Sequence, residues 1–66
     1  MQVTINGERR DLGAGLTVAD LLRDLGIDGR KVAVERNLEI VPRSTLGEVR
    51  VEDGDDYEIV HFVGGG

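Results

Sequence analysis

Few side chains in this sequence can do covalent or proton-transfer chemistry. Among its 66 residues there is one histidine, His61, one lysine, Lys31, and no cysteine. The missing cysteine excludes a disulfide framework, a thiolate-bound metal, an iron–sulfur cluster and a thiol nucleophile together. Any sulfur that this chain handles therefore cannot ride on a protein-borne persulfide. His61 has no second histidine with which to hold a metal and no cysteine nucleophile to serve, so a partly buried strand histidine is expected ahead of a general base. Lys31 lacks the apolar flanks that would desolvate a Schiff-base amine. The stretch "GAGLTV" holds two glycines of a dinucleotide fingerprint, but Val18 stands in the third place and the chain is too short for the fold that motif needs. "DGDD" has the start of a calcium loop without the bidentate glutamate that closes one, and is expected to be a solvated turn. No catalytic constellation assembles, and the chain is expected not to be an enzyme by itself.

The chemistry that remains lies in "HFVGGG", where Gly64, Gly65 and Gly66 follow one another. A carboxylate on such a glycine, with a pKa near ~3.3–3.7, is ionised at neutral pH and is a poor electrophile. It has to be activated, for instance as an acyl-adenylate. Glycines carry no Cβ, so the segment can extend and enter a narrow channel where a partner's groups approach its backbone. A frayed terminus or the start of a linker is the competing reading. The expected organisation is a folded domain over 1–63 and a flexible glycine tail over 64–66.

The elements that must carry this tail follow from the spacing of apolar residues. "QVTIN" alternates with Val3 and Ile5 on one face, and Asn6-Gly7 predicts a tight hairpin turn back through "ERRDL". Val18, Leu21, Leu22 and Leu25 mark one face of a helix, with Thr17 as its cap, Asp20 in its first turn and Gly26 at its end. "KVAVE" predicts a strand with Val32 and Val34 inward, Asn37 a turn, and "LEIV" a short returning strand that Pro42 ends. "RSTLGEVRV" predicts a turn or a single helical turn around Leu46, "EDGDD" a turn, and "YEIVHFV" the last strand. In that strand Tyr57 and Ile59 should face the core, because the opposite parity would bury Glu58. Val60 and Phe62 must then be exposed, and a large apolar pair beside the tail predicts a partner-docking patch. The predicted core includes Val3, Ile5, Leu21, Leu22, Leu25, Val34 and Ile59. The economical fold is α+β: a mixed sheet of four to five strands with one main helix on one face, the β-grasp or ubiquitin-like layout. By pattern alone a ferredoxin-like or other α+β roll fits almost as well.

The net charge of −5 is unevenly placed. Acids and bases balance through residue 36, whereas beyond it Arg43 and Arg50 are the only bases among many carboxylates. Such a surface repels nucleic acid and anionic lipid and is steered towards a basic protein surface. With no long apolar run and no signal-like start in "MQVTINGERR", the expectation is a cytoplasmic protein with neither nucleic-acid nor membrane partners.

The opening "MQVTINGE", the helix "TVADLLRDL", "VAVERNLEIVPRS", "GDDYEIVHFV" and the glycines together resemble the ThiS family, the sulfur-carrier proteins of thiamine biosynthesis. The resemblance covers essentially the whole chain. It implies that Gly66 is adenylated by an E1-like enzyme of the ThiF type using ATP, converted to a thiocarboxylate with sulfur from a donor system, and used by a thiazole synthase of the ThiG type. No cofactor would be bound by the chain itself. By matching positions it implies that Gly65 and Gly66 form the functional terminus, preceded by Gly64, and that Val60, Phe62 and Val63 contact partners. A sulfur carrier of another pathway, such as the small subunit of molybdopterin synthase, and a β-grasp binding module are the alternatives.

Overall fold

A computed structural model of the chain describes residues 1–62. Five strands, β1 (Gln2–Ile5), β2 (Glu8–Asp11), β3 (Val32–Arg36), β4 (Glu39–Ile40) and β5 (Asp56–His61), form one sheet in the order β2-β1-β5-β3-β4. β1 and β5 run parallel, with Ile5 opposite Tyr57, and the other neighbours pair antiparallel. The one α-helix among the described residues, α1 (Val18–Asp24), buries Val18, Leu21 and Leu22 in one cluster with Val3, Ile5 and Ile59. The sheet is thus covered on one face, as expected of a β-grasp.

Local chemistry sets each boundary. The β1–β2 turn needs positive φ at both central residues, and Asn6 (49°) with Gly7 (83°) supplies it. Asn6 has a second duty. Its side chain donates to the Ile59 carbonyl at 3.1 Å and accepts from the Ile59 amide at 2.7 Å, prolonging the β1–β5 pairing past the turn. β2 is exposed along its length, and its run of Glu8, Arg9, Arg10 and Asp11 puts charge on an edge that would otherwise invite another strand.

The helix is short, so its ends matter. Thr17 and Asp20 form a capping box, each side chain accepting from the other's backbone amide. The free amides of Val18 and Ala19 donate to the carbonyls of Val49 and Leu46, so the loop after β4 completes the helix start. At the far end Gly26 (φ 72°) and Ile27 donate back to Arg23 and Leu22 in a Schellman arrangement. Leu25, expected in the core, is the C-cap and only half-buried, because the helix stops before its fourth apolar position is carried under the sheet.

Between β3 and β4 the turn takes two residues, Asn37 and Leu38, not one. Both have positive φ, and Leu38 (70°) is 87% exposed, so β4 shrinks to Glu39–Ile40. The loop that follows contains a 3₁₀ turn at Arg43–Thr45 and drops Val41, Leu46 and Val51 into the core.

Two stability changes follow. Leu22→Ala should cost about 2–5 kcal/mol in urea unfolding, since it empties a fully packed position. Leu38→Gly should raise stability by about 1 kcal/mol, because glycine relieves the left-handed conformation and no buried contact is lost. A loss of stability in the second variant would show that the Leu38 side chain packs in solution.

Candidate functional site

β5 lies in the middle of the sheet, between β1 and β3, and its alternation decides which residues reach solvent. Tyr57 and Ile59 are buried at 0% and 5%, while Val60 and Phe62 are 59% and 54% exposed, the parity that the sequence predicts. Val60 stands opposite Ala33 on the face that α1 leaves open. Phe62 continues the pairing of β5 with the chain just before β3, its amide donating to the Lys31 carbonyl at 3.0 Å. Its ring lines a groove of about 170 Å³ with Ala33, Ile40, Pro42 and Arg43. The Arg43 guanidinium sits 5.9 Å from the ring centroid, within cation–π range. A groove this small and open is below the size of a cofactor pocket and suits a side chain of a partner.

Val63, Gly64, Gly65 and Gly66, named from the sequence as contact and sulfur-bearing residues, lie outside the described residues. His61, expected to be partly buried, is exposed at the end of β5, and Lys31 is exposed in the 3₁₀ turn Gly29–Lys31. Among the described residues no cluster of His, Asp and Glu is arranged to hold a metal.

The start of β5 is fixed by a side chain that was expected to be solvated. Asp55 is 4% exposed and accepts from Arg36 Nε (2.9 Å), Asn37 Nδ2 (3.1 Å), the Glu52 amide (2.9 Å) and the Tyr57 hydroxyl (2.8 Å). Its own carbonyl accepts from Thr4, and Gly54 donates to Gln2, so the same turn is also stitched to β1. Burial pushes the Asp55 carboxyl up, but these four donors together hold it below the usual carboxylate range. Burial first, and the hydrogen bond to Asp55 second, push the Tyr57 hydroxyl well above its usual value. The "EDGDD" composition concealed this role. Parity could have shown it, since Asp55 lies two residues before the inward-facing Tyr57. The Asn6 clasp and the Arg43 stack had no signal in the periodicity.

The sequence profile of the ThiS family matches residues 3–66. The chain belongs to the ThiS family. It is 61% identical over 66 residues to a thiazole synthase of Paramagnetospirillum magneticum, aligning along the whole chain but only 20% of that protein. It is 45% identical over 58 residues to the sulfur carrier protein ThiS of Bacillus subtilis, covering 88% of this chain and 83% of that one. The crystal structure of a thiamine biosynthesis protein (ThiS) from Geobacter metallireducens superposes with a TM-score of 0.85 at 35% identity, covering 100% of both chains. The chain thus spans about a fifth of the length of the thiazole synthases it matches and nearly the full length of the ThiS proteins.

Three results are expected from this site. Phe62→Asp should fold like the parent, because the ring lies at the surface; loss of the circular-dichroism melt would overturn the parity assigned to β5. Asp55→Asn should cost about 1–3 kcal/mol at neutral pH, as it removes the charged acceptor of several buried donors while Arg36 keeps Glu52 within ion-pairing distance. Because the folded Asp55 value lies below the unfolded one, its contribution is present above roughly pH 4 and lost as pH falls through the folded value. Denaturant titrations should therefore show a shallower acid limb in Asp55→Asn. The Tyr57 shift has the opposite sign. Its contribution is complete below roughly pH 10 and lost as pH rises through the raised folded value, so Tyr57→Phe should flatten the alkaline limb.

Proposed function

We propose that this chain is a sulfur carrier in the formation of the thiamine thiazole, a protein substrate worked on by other enzymes. The observation that carries the reading is its likeness over most of its length to the sulfur carrier ThiS of Bacillus subtilis. The absence of cysteine agrees with it, since the sulfur would be borne on a terminal carbonyl carbon. An oxygen of the Gly66 carboxylate attacks the α-phosphorus of ATP in an E1-like activating enzyme and releases pyrophosphate. A sulfur nucleophile at the oxidation level of sulfide, from a donor system, then adds to the acyl carbon and displaces AMP. The product is a thiocarboxylate that gives its sulfur to thiazole synthase. That thiazole synthases are found whose chains include a stretch like this one supports the pairing with that enzyme. All these steps belong in the cytoplasm, where ATP is supplied, and none calls for a cofactor held by this chain.

In this division of labour the folded residues are a handle and Gly64–Gly66 the part that enters a partner. Val60, Phe62 and Val63 are the residues assigned to partner contact. That β5 leads to an exposed aromatic, Phe62, two residues before the first of the three glycines in the sequence supports this.

The test uses chains that end at Gly65, end at Gly66, or continue one residue beyond Gly66. Each is incubated with the activating enzyme, ATP and a sulfur source, and its intact mass is read. The chain ending at Gly66 should pass through an adenylate to a species in which one sulfur replaces one oxygen, located in its C-terminal peptide. The other two should remain unloaded while folding normally. Full loading of the extended chain without trimming would refute the carrier mechanism, and equal inertness of all three would favour a β-grasp binding module.

A further inference from the structure

Asn6 combines a structural duty with a chemical weakness. It is followed by Gly7, and asparagine is thermolabile because the next backbone nitrogen can attack its carboxamide. Glycine in that next place has no side chain to hinder the attack, and the space around Gly7 is open. Asn6 is itself exposed, so water reaches it. What restrains it is the clasp on β5: its Nδ2 donates to the Ile59 carbonyl at 3.1 Å, and its Oδ1 accepts from the Ile59 amide at 2.7 Å. With both ends of the carboxamide pinned, its Cγ cannot turn onto the Gly7 nitrogen. The other asparagine, Asn37, also has positive φ (51°) and is bonded to Asp55 and Asp56, but the bulky Leu38 follows it.

The clasp supports more than its own turn. β1 and β5 pair over two residues only, Thr4 with Asp56 and Ile5 with Tyr57, and the two Asn6 side-chain bonds carry the contact on to Ile59. The next residues of β5, Val60 and His61, are paired with β3. Beside the clasp a groove of about 300 Å³ reaches Ile5 and Ile59, and the partly buried Leu25 and Ile27 do not close it.

We propose that Asn6 is a fold-gated site of covalent modification, converted to aspartate or isoaspartate whenever the clasp opens. The Gly7 amide nitrogen bonds to the Asn6 Cγ, the bond from Cγ to the carboxamide nitrogen breaks, and that nitrogen leaves with the Gly7 amide proton as ammonia. The succinimide that remains is opened by water at either carbonyl, so water is the only co-reactant. Neither product can re-form the clasp. Aspartate, ionised at neutral pH, sets an oxygen with no hydrogen to give against the Ile59 carbonyl. Isoaspartate adds a backbone atom to a two-residue turn whose strands are held in register by its length. The change therefore records the time that the chain has spent with the end of β5 released from β1, whatever the chain carries.

The experiment incubates the chain at mildly alkaline pH, in buffer and in guanidinium chloride sufficient to unfold it. The exchange of NH₂ for OH is followed by mass in the tryptic peptide Met1–Arg9, with the peptide holding Asn37 as the internal reference. In denaturant Asn6 should convert while Asn37 stays intact. In the folded chain the conversion should be roughly tenfold or more slower, because two hydrogen bonds must open together first. The variant Asn6→Asp should melt roughly 4–8 °C below the parent. Equal rates in buffer and in denaturant overturn the gating, and an Asn6 that stays intact in denaturant overturns the site itself. A folded Asn6→Asp that melts with the parent overturns the loss of the clasp. If that variant does not fold, the two rates measured on the parent decide alone.

Discussion

A buried carboxylate holds this small domain in register. Asp55 gathers donors from the end of β3, from the turn that precedes β5 and from β5 itself, and the backbone of its turn is tied to β1. Three strands that are remote in sequence are thereby fixed at one end of the sheet. Burying an ion is costly unless every lone pair is used, and here four donors use them. The result is directional where hydrophobic contacts are not. A core of valines and leucines tolerates sliding, but four hydrogen bonds to one carboxylate do not.

What that register secures is the alternation along β5. A slip of one residue would put Glu58 among the core side chains and bring Tyr57 and Ile59 to the surface. With the strand clamped at Asp55 and again by the Asn6 side chain at Ile59, the apolar residues at its far end must face outward. The exposed Val60 and Phe62 are therefore a consequence of how the other end is anchored. One central strand thus holds the middle of the core and also carries the exposed apolar pair, and mutations that loosen the clamp should disturb both.

Much of this was legible in the sequence. The period of two in "QVTIN" and "KVAVE", the helical spacing from Val18 to Leu22, and the Asn6-Gly7 and Thr17-to-Asp20 signals are local rules, and each element appears where its rule placed it. The likeness to ThiS proteins was carried by longer stretches, and the family match agrees. Features set by tertiary contact were hidden. Asp55 reads as a loop acid until Arg36 and Tyr57 are brought to it, and Leu38 reads as a strand residue until the turn requires a second left-handed position. The end of α1 at Leu25 depends on Gly26, which the sequence marks, yet Leu25 is only half-buried because periodicity does not say how far a short helix reaches under a sheet.

Val60 and Phe62, proposed to contact a partner, lie on the sheet face opposite α1, and solution measurements resolve the two faces residue by residue. Amide shifts of the isotope-labelled chain, followed as unlabelled thiazole synthase is added, report directly on which surface is met. Changes concentrated at Ala33, Ile40, Val60 and Phe62, with Arg23 and Asp24 on the exposed side of α1 undisturbed, are expected if the proposed contact residues Val60 and Phe62 meet that partner. A response centred on α1, with the open face of the sheet silent, would contradict it.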